Sequence, residues 1–216
     1  GSLIGDNDRA VSLDGSNDWI RIPYTAILAP LSAMTLEAWI YRTSLPSARQ
    51  QVLDNEANIG HGYYLNINSG GTIGFMHAHS LNAGVLLTTS GIAINTWHHI
   101  VGTWDGSYQN IWLDGTIVAS ASQTTPSTTT GIQIGIGANK DSVRFFAGRI
   151  DEAAIYPTAL SSAKIFTHYQ TGVGSGAAIA TQGERWDNFS WDPAGSITLR
   201  AIPDGWSARL FLPNCT

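Results

Sequence analysis

The feature that most constrains this chain is a two-residue alternation of apolar and polar side chains, repeated in short runs along most of its length. It is seen in Ala10–Leu13, Trp19–Ile22, Met34–Tyr41, Tyr63–Ile67, Thr72–His77, Trp97–Trp104, Gln109–Leu113, Ile132–Ile136 and Phe146–Tyr156. Each run is bounded by Gly, Asn, Asp or Pro, residues that favour turn backbone over strand. An alternating strand has one apolar face, and that face is buried only when strands pair and sheets stack. The expected fold is therefore all-β, with two packed antiparallel sheets. Two Asp-Gly pairs, Asp105-Gly106 and Asp114-Gly115, each separate two runs and predict type I′ hairpins, so residues 97–119 should form a meander. One helix is expected over Ser161–Tyr169, opened by a Ser161 cap, closed near Gly172 and lying on the surface.

Composition narrows the function classes. Eleven Lys+Arg against sixteen Asp+Glu leave a net charge of −5, which argues against nucleic acid as a partner. The sequence has no apolar run long enough for a membrane-spanning helix, so no membrane insertion is expected. Cys215 is the single cysteine, so packing rather than an internal disulfide must hold the fold. The organisation reads as a β domain over 3–172, a small-residue linker over 173–183 and an extension over 184–216. The extension carries Trp186, Trp191 and Trp206 and is too short for its own core, so it should dock on the domain, a neighbouring domain or another subunit.

Five segments, in order, resemble the laminin G-like, concanavalin A-type jelly rolls, a group that includes lectins, glucanases and pentraxins. They are Val11-Ser12-Leu13-Asp14-Gly15-Ser16-Asn17-Asp18-Trp19-Ile20, Met34-Thr35-Leu36-Glu37-Ala38-Trp39-Ile40, and Asn95–Gly106 with its Trp97-His98-His99 centre. Ile111-Trp112-Leu113-Asp114-Gly115 and Phe146–Tyr156, the latter running into Ala159-Leu160-Ser161, complete the set. The resemblance implies a jelly-roll sandwich that binds carbohydrate or protein, often with calcium, on extracellular enzymes, adhesins or virion proteins. It also implies that Trp39, Trp97 and Trp112 are core residues, with Trp97 and His99 inward and His98 on the other face.

Catalysis finds little support. Related hydrolases place their acids at alternating positions on one strand, as in E-x-D-x-x-E, whereas Glu37 stands alone and Asp151 and Glu152 are adjacent and point to opposite faces. No catalytic residue is expected.

For calcium, which takes six to eight oxygens, three loops are rich in oxygen. One is Asp14–Asp18, which the resemblance brings beside Asp151. The others, Asp54-Asn55-Glu56 and Asn139-Lys140-Asp141, look like the two calcium loops of pentraxins. Asp14, Asp18 and Asp151 are the favoured set, against the simpler reading that Asp and Asn only build turns.

For ligand, Tyr63, His77, His79, Trp104 and Asn66 are the expected saccharide contacts. The rings would stack on sugar C–H faces while Asn and His satisfy hydroxyls, on the concave sheet where the resemblance puts these strands. The overall expectation is a non-catalytic, lectin-like module, extracellular or on a cell or virion surface, with a glycan or glycoprotein as partner. The alternative is a structural or protein-interaction module such as a spike, decoration or adhesin domain, with a glycoside hydrolase third.

Overall fold

The computed structural model describes residues 9–28, 32–56, 62–78, 85–125, 132–139, 141, 143–174 and 208–209. Twelve strands occupy the domain: β1 (Val11–Asp14), β2 (Ile20–Ile22), β3 (Met34–Tyr41), β4 (Gln50–Asp54), β5 (Gly62–Ile67), β6 (Thr72–Ala78), β7 (Val85–Gly91), β8 (Trp97–Trp104), β9 (Tyr108–Leu113), β10 (Thr116–Ser122), β11 (Ile134–Ile136) and β12 (Ala147–Tyr156). Helix α1 (Ser162–Gly172) follows, and β13 (Ala208–Arg209) pairs with β12 at Ala154 and Ile155. One sheet runs β1-β12-β3-β8-β9-β10 and the other β2-β11-β4-β5-β6-β7; they are called here the β3 sheet and the β5 sheet. All pairings are antiparallel.

The two sheets face each other across Met34, Leu36, Ala38 and Ile40 of β3 and Tyr63, Leu65 and Ile67 of β5, all buried. Phe75 of β6 fills the space over Gly102 of β8, where a Cβ would lie 2.3–2.8 Å from its ring atoms. Packing at native density explains why glycine stands there.

The turns follow local chemistry. Asp114 (φ 51°) and Gly115 (φ 77°) form the two left-handed positions that a type I′ turn requires. At the first Asp-Gly pair only Gly106 has positive φ (93°), and the Asp105 carboxylate accepts the Ser107 and Tyr108 amides. That loop is an Asx turn, not type I′. Helix α1 is capped as expected, with Ser161 Oγ accepting the Lys164 N–H. Strands β4 and β7 carry no clear alternation and were not evident from sequence: Gln50-Gln51 opens β4, and β7 exposes Val85 and Leu87.

Helix α1 lies on the outer face of the β3 sheet, with Tyr169 stacked on Trp39 at 6.0 Å between ring centroids. This corrects the reading of the tryptophans. Residues of β3 alternate, so Leu36, Ala38 and Ile40 enter the inter-sheet core while Glu37, Trp39 and Tyr41 face away from it. Register pairs Trp39 with His99, Tyr41 with Trp97 and Val101 with Trp112, which puts all three tryptophans on that outer face. Trp39 is buried beneath α1, whereas Trp97 and Trp112 are half-buried.

Candidate saccharide-binding site

The expected ligand residues come together, but in the interior. Tyr63, His77 and Trp104 are 2%, 0% and 2% exposed, and the His77 ring stacks on Trp104 at 3.8 Å between centroids. Tyr63 donates its hydroxyl to the Leu28 carbonyl, His77 Nε2 donates to the Thr125 carbonyl at 3.1 Å, and Trp104 Nε1 donates to the Gln123 carbonyl at 2.7 Å. These three donors thus pin chain segments at one end of the sandwich, and burial keeps the rings from a saccharide. Burial pushes the His77 imidazole down to about 4, against the opposing pull of the Thr125 carbonyl, so it is neutral at pH 7. Asn66, three residues after Tyr63 and so of opposite parity, is buried on the outer face of β5, while His79 lies outside the described residues.

The expected calcium set does not assemble. Asp14 pairs with Ala147 whereas Ile150 pairs with Val11, so Asp151 stands past the far end of the β1–β12 ladder, roughly 13 Å along the strand from Asp14. The Asp14 carboxylate accepts the Ser16 and Asn17 amides, which hold its pKa below the ordinary carboxylate value, and Asp18 accepts the Asp14 amide. These oxygens close a turn. The second and third loops do approach each other through the β4–β11 pairing, but their acceptors are already engaged. Asp54 accepts the Glu56 amide and the Gln51 side chain, Glu56 Oε2 accepts from Arg49 (3.0 Å) and Arg144 (3.1 Å), and Asn139 Oδ1 accepts the Val143 amide. Among the described residues no three acidic, His or Cys side chains converge as a metal site.

A different constellation stands on the outer face of the β5 sheet. Register builds one row across five strand pairings: Arg21, Gly135, Asp54, Tyr64, Met76 and Val85. Trp19 lies over Gly135, where a Cβ would sit 3.5 Å from Trp19 Cε3. Arg21 stacks over Trp19 at 4.7 Å and Arg49 stacks over Tyr64 at 4.7 Å. Between them, Gln51 and Asn66 form the next paired row, both fully buried.

Asp54 is buried at the centre of this face. Burial is the largest influence on it and raises its pKa to about 7; the Glu56 amide opposes that rise. Gln51 Oε1 is buried without a hydrogen-bond partner. The face therefore has a polar, amide-lined floor, with Trp19 partly exposed and Arg49 and Arg144 at the rim, their side chains 24% and 35% exposed. The sequence marks Asp54 as part of an oxygen-rich loop suited to calcium and gives no sign that Arg49 lies over Tyr64 beside it. The signal that finds them is strand parity, which no single strand reveals without its neighbours.

The acids weighed for hydrolysis, Glu37, Asp151 and Glu152, lie on the other sheet. Glu37 is buried under α1, accepting from His99 Nε2 at 2.6 Å and from His168 Nδ1 at 2.8 Å. Burial alone would raise its pKa, but the bonds and charge from His168 and His99 outweigh this and hold it well below the ordinary range. Asp151 is buried too, and Glu152 sits at a bulge with φ 47°.

Comparison with known proteins places this architecture. No curated protein sequence matches. Domain 4 of AbnA, an extracellular arabinanase of Geobacillus stearothermophilus solved with arabinotriose, superposes with a TM-score of 0.60 at 17% identity over 77% of this chain and 79% of that one. The heptameric SAP-like pentraxin of Limulus polyphemus gives 0.57 at 14% identity, over 73% and 80%. A protein of Bacteroides ovatus gives 0.58 at 16% identity over 73% of this chain, which spans only 45% of that longer one. At these identities the likeness is one of fold. The family model described as the concanavalin A-like lectin/glucanases superfamily, Laminin_G_3, matches residues 14–166, and the chain belongs to that family.

Proposed function

We propose that this domain is a non-catalytic saccharide-binding module whose main site is the outer face of the β5 sheet, between Trp19–Arg21 and Arg49–Tyr64. The observation that carries the reading is the cross-strand row itself. Two aromatic rings, each with an arginine against it, flank Asp54 and the buried amides of Gln51 and Asn66. Tyr64 is itself 3% exposed beneath Arg49, so the surface offered to a sugar is the partly exposed Trp19 ring with the Arg21 and Arg49 guanidinium groups; Gly135 under Trp19 and Tyr64 under Arg49 are two strands apart, about 10 Å, within the span of a short oligosaccharide. Apolar sugar faces suit Trp19, hydroxyls suit the Arg21 and Arg49 guanidinium groups, and the sheet beneath holds them in place. AbnA domain 4, which shares this fold, was solved with arabinotriose, and that supports a saccharide as the ligand class.

The burial of Glu37, Asp54 and Asp151 supports binding without hydrolysis, because a hydrolase needs two carboxyl groups facing the sugar. An extracellular or surface setting fits such a module. A glycan array followed by calorimetric titration of the best binder tests the reading. Trp19→Ala and Arg49→Ala should each weaken binding roughly 3- to 10-fold, the range expected for one stacking contact. Absence of any binding glycan, or affinity untouched by both substitutions, overturns it.

A further inference from the structure

The β3 sheet carries a second aromatic cluster that the reading above does not use. Register aligns Ser12, Arg149, Tyr41 and Trp97 across β1, β12, β3 and β8 on the outer face. Helix α1 covers the neighbouring row, Trp39 with His99, and Glu37 in the row beyond, and leaves this one open: Tyr41 and Trp97 are half-buried and Arg149 is exposed. Tyr41 and Trp97 meet at 5.6 Å with their planes tilted by 58°, and the Arg149 guanidinium stands over Tyr41 at 5.5 Å. The row is drawn tight by Gly148, whose φ is 143° and where a Cβ would lie 2.2 Å from the Tyr41 carbonyl oxygen. No other residue fits there, so β12 delivers Arg149 against Tyr41 at close range.

Among the described residues, the Trp97 indole N–H and the Arg149 guanidinium have no polar partner. Trp104 and Trp112 donate their indole N–H to the Gln123 carbonyl and Thr103 Oγ1, whereas among the described residues the Trp97 indole has no acceptor. Arg49 and Arg144 share Glu56, whereas among the described residues the Arg149 guanidinium has neither an ion pair nor a hydrogen bond. A partly exposed aromatic pair on the solvent side of a sheet, beside a guanidinium held over one of its rings, suits one ligand chemistry: a ring with an apolar face and a carboxylate on its edge.

We infer that Trp97, Tyr41 and Arg149 form a second saccharide site, on the opposite face of the sandwich from the first, for sugars that carry a carboxylate. Trp97 takes the C–H face of the pyranose and donates its indole N–H, and the Arg149 fork pairs with the carboxylate. The class of ligand rests on the saccharide reading above, but the residues are separate. With one site on each face, a single domain joins two glycan chains.

The test uses pairs of probes that differ in a carboxylate: trigalacturonate with galactotriose, and 3′-sialyllactose with lactose. Indole N–H resonances of the full chain are followed during titration, with Trp97 identified by the signal lost in Trp97→Phe. The expected result is that an acidic probe shifts the Trp97 signal and its neutral counterpart shifts it at least tenfold more weakly. Arg149→Ala, an exposed substitution that leaves the core intact, should abolish that preference, Arg149→Lys should restore only part of it, and Trp19→Ala should leave it unchanged. A Trp97 signal unmoved by every probe, or equal response to both members of each pair, overturns the second site. If glycans bind and only Trp19→Ala affects them, the first site stands and this one falls; if no glycan binds at all, both fall.

Discussion

Gln51 and Asp54 show how one buried pair sets a titration. Gln51 Nε2 donates to Asp54 Oδ2 while Gln51 Oε1 has no partner, and burial lifts the Asp54 pKa to about 7. A neutral Asp54 suits the site better, because its hydroxyl can donate to the Gln51 oxygen once that amide is turned over. Asp54→Asn gives the same arrangement permanently: the Asn oxygen keeps the Glu56 amide and its NH2 meets the Gln51 oxygen. The substitution should stabilise the protein at pH 8 by on the order of 1 kcal/mol and change little at pH 4, since a buried charge is removed only where Asp54 is ionised. Urea unfolding at the two pH values measures this, and equal shifts at both would be inconsistent with a neutral Asp54 at acid pH.

At the level of elements, the β9–β10 hairpin depends on Asp114 in two ways. Its backbone sits at φ 51°, and its carboxylate accepts the His99 amide at 2.9 Å while contacting His98 Nδ1 at 2.8 Å. Asp114→Ala loses both the tolerance of positive φ and the acceptor, and should cost about 2 kcal/mol. Asp114→Asn keeps the first and one acceptor, and should cost less than half as much. Thermal unfolding of the two variants separates these contributions. A similar cost for both would mean that charge, not backbone conformation, governs the turn.

Across the whole molecule, two carboxylates pull stability in opposite directions with pH. Glu37 has a folded pKa below its ordinary 4.5, so its contribution is complete above 4.5 and fades as pH falls below it. Asp54 is raised from 3.8 to about 7, so its favourable neutral form is retained below 3.8 and lost as pH rises through 7. Between 4.5 and 7 only the second effect operates among this pair. Because His77, lowered from 6.5 to about 4, gains stability over much of the interval in which Asp54 loses it, the signs are read as differences between proteins: the Tm advantage of Asp54→Asn over wild type should grow from pH 4 to pH 7, and the Tm deficit of Glu37→Gln should shrink as pH falls below 4.5. A scan of Tm against pH for the three proteins checks both signs.

The alternation of apolar and polar residues determined the all-β class, Asp114-Gly115 determined its hairpin, and Ser161 marked the start of α1, because these depend on backbone preferences within a few residues. The five motif segments were enough to indicate the jelly roll, and the family match over 14–166 agrees. What the sequence did not contain was the face each side chain occupies. Tyr63 and Tyr64 are adjacent and chemically alike, yet pairing with His77 and Met76 sends one into the core and the other to the outer face. Asp14 and Asp151 belong to neighbouring strands, yet the register separates them. Tyr41, Trp97 and Arg149 stand 56 and 52 residues apart in the chain and become one row only when β12, β3 and β8 align. A strand has period two, so a shift of one residue exchanges inside for outside; only the tertiary pairing settles that choice, and with it every candidate site on this protein.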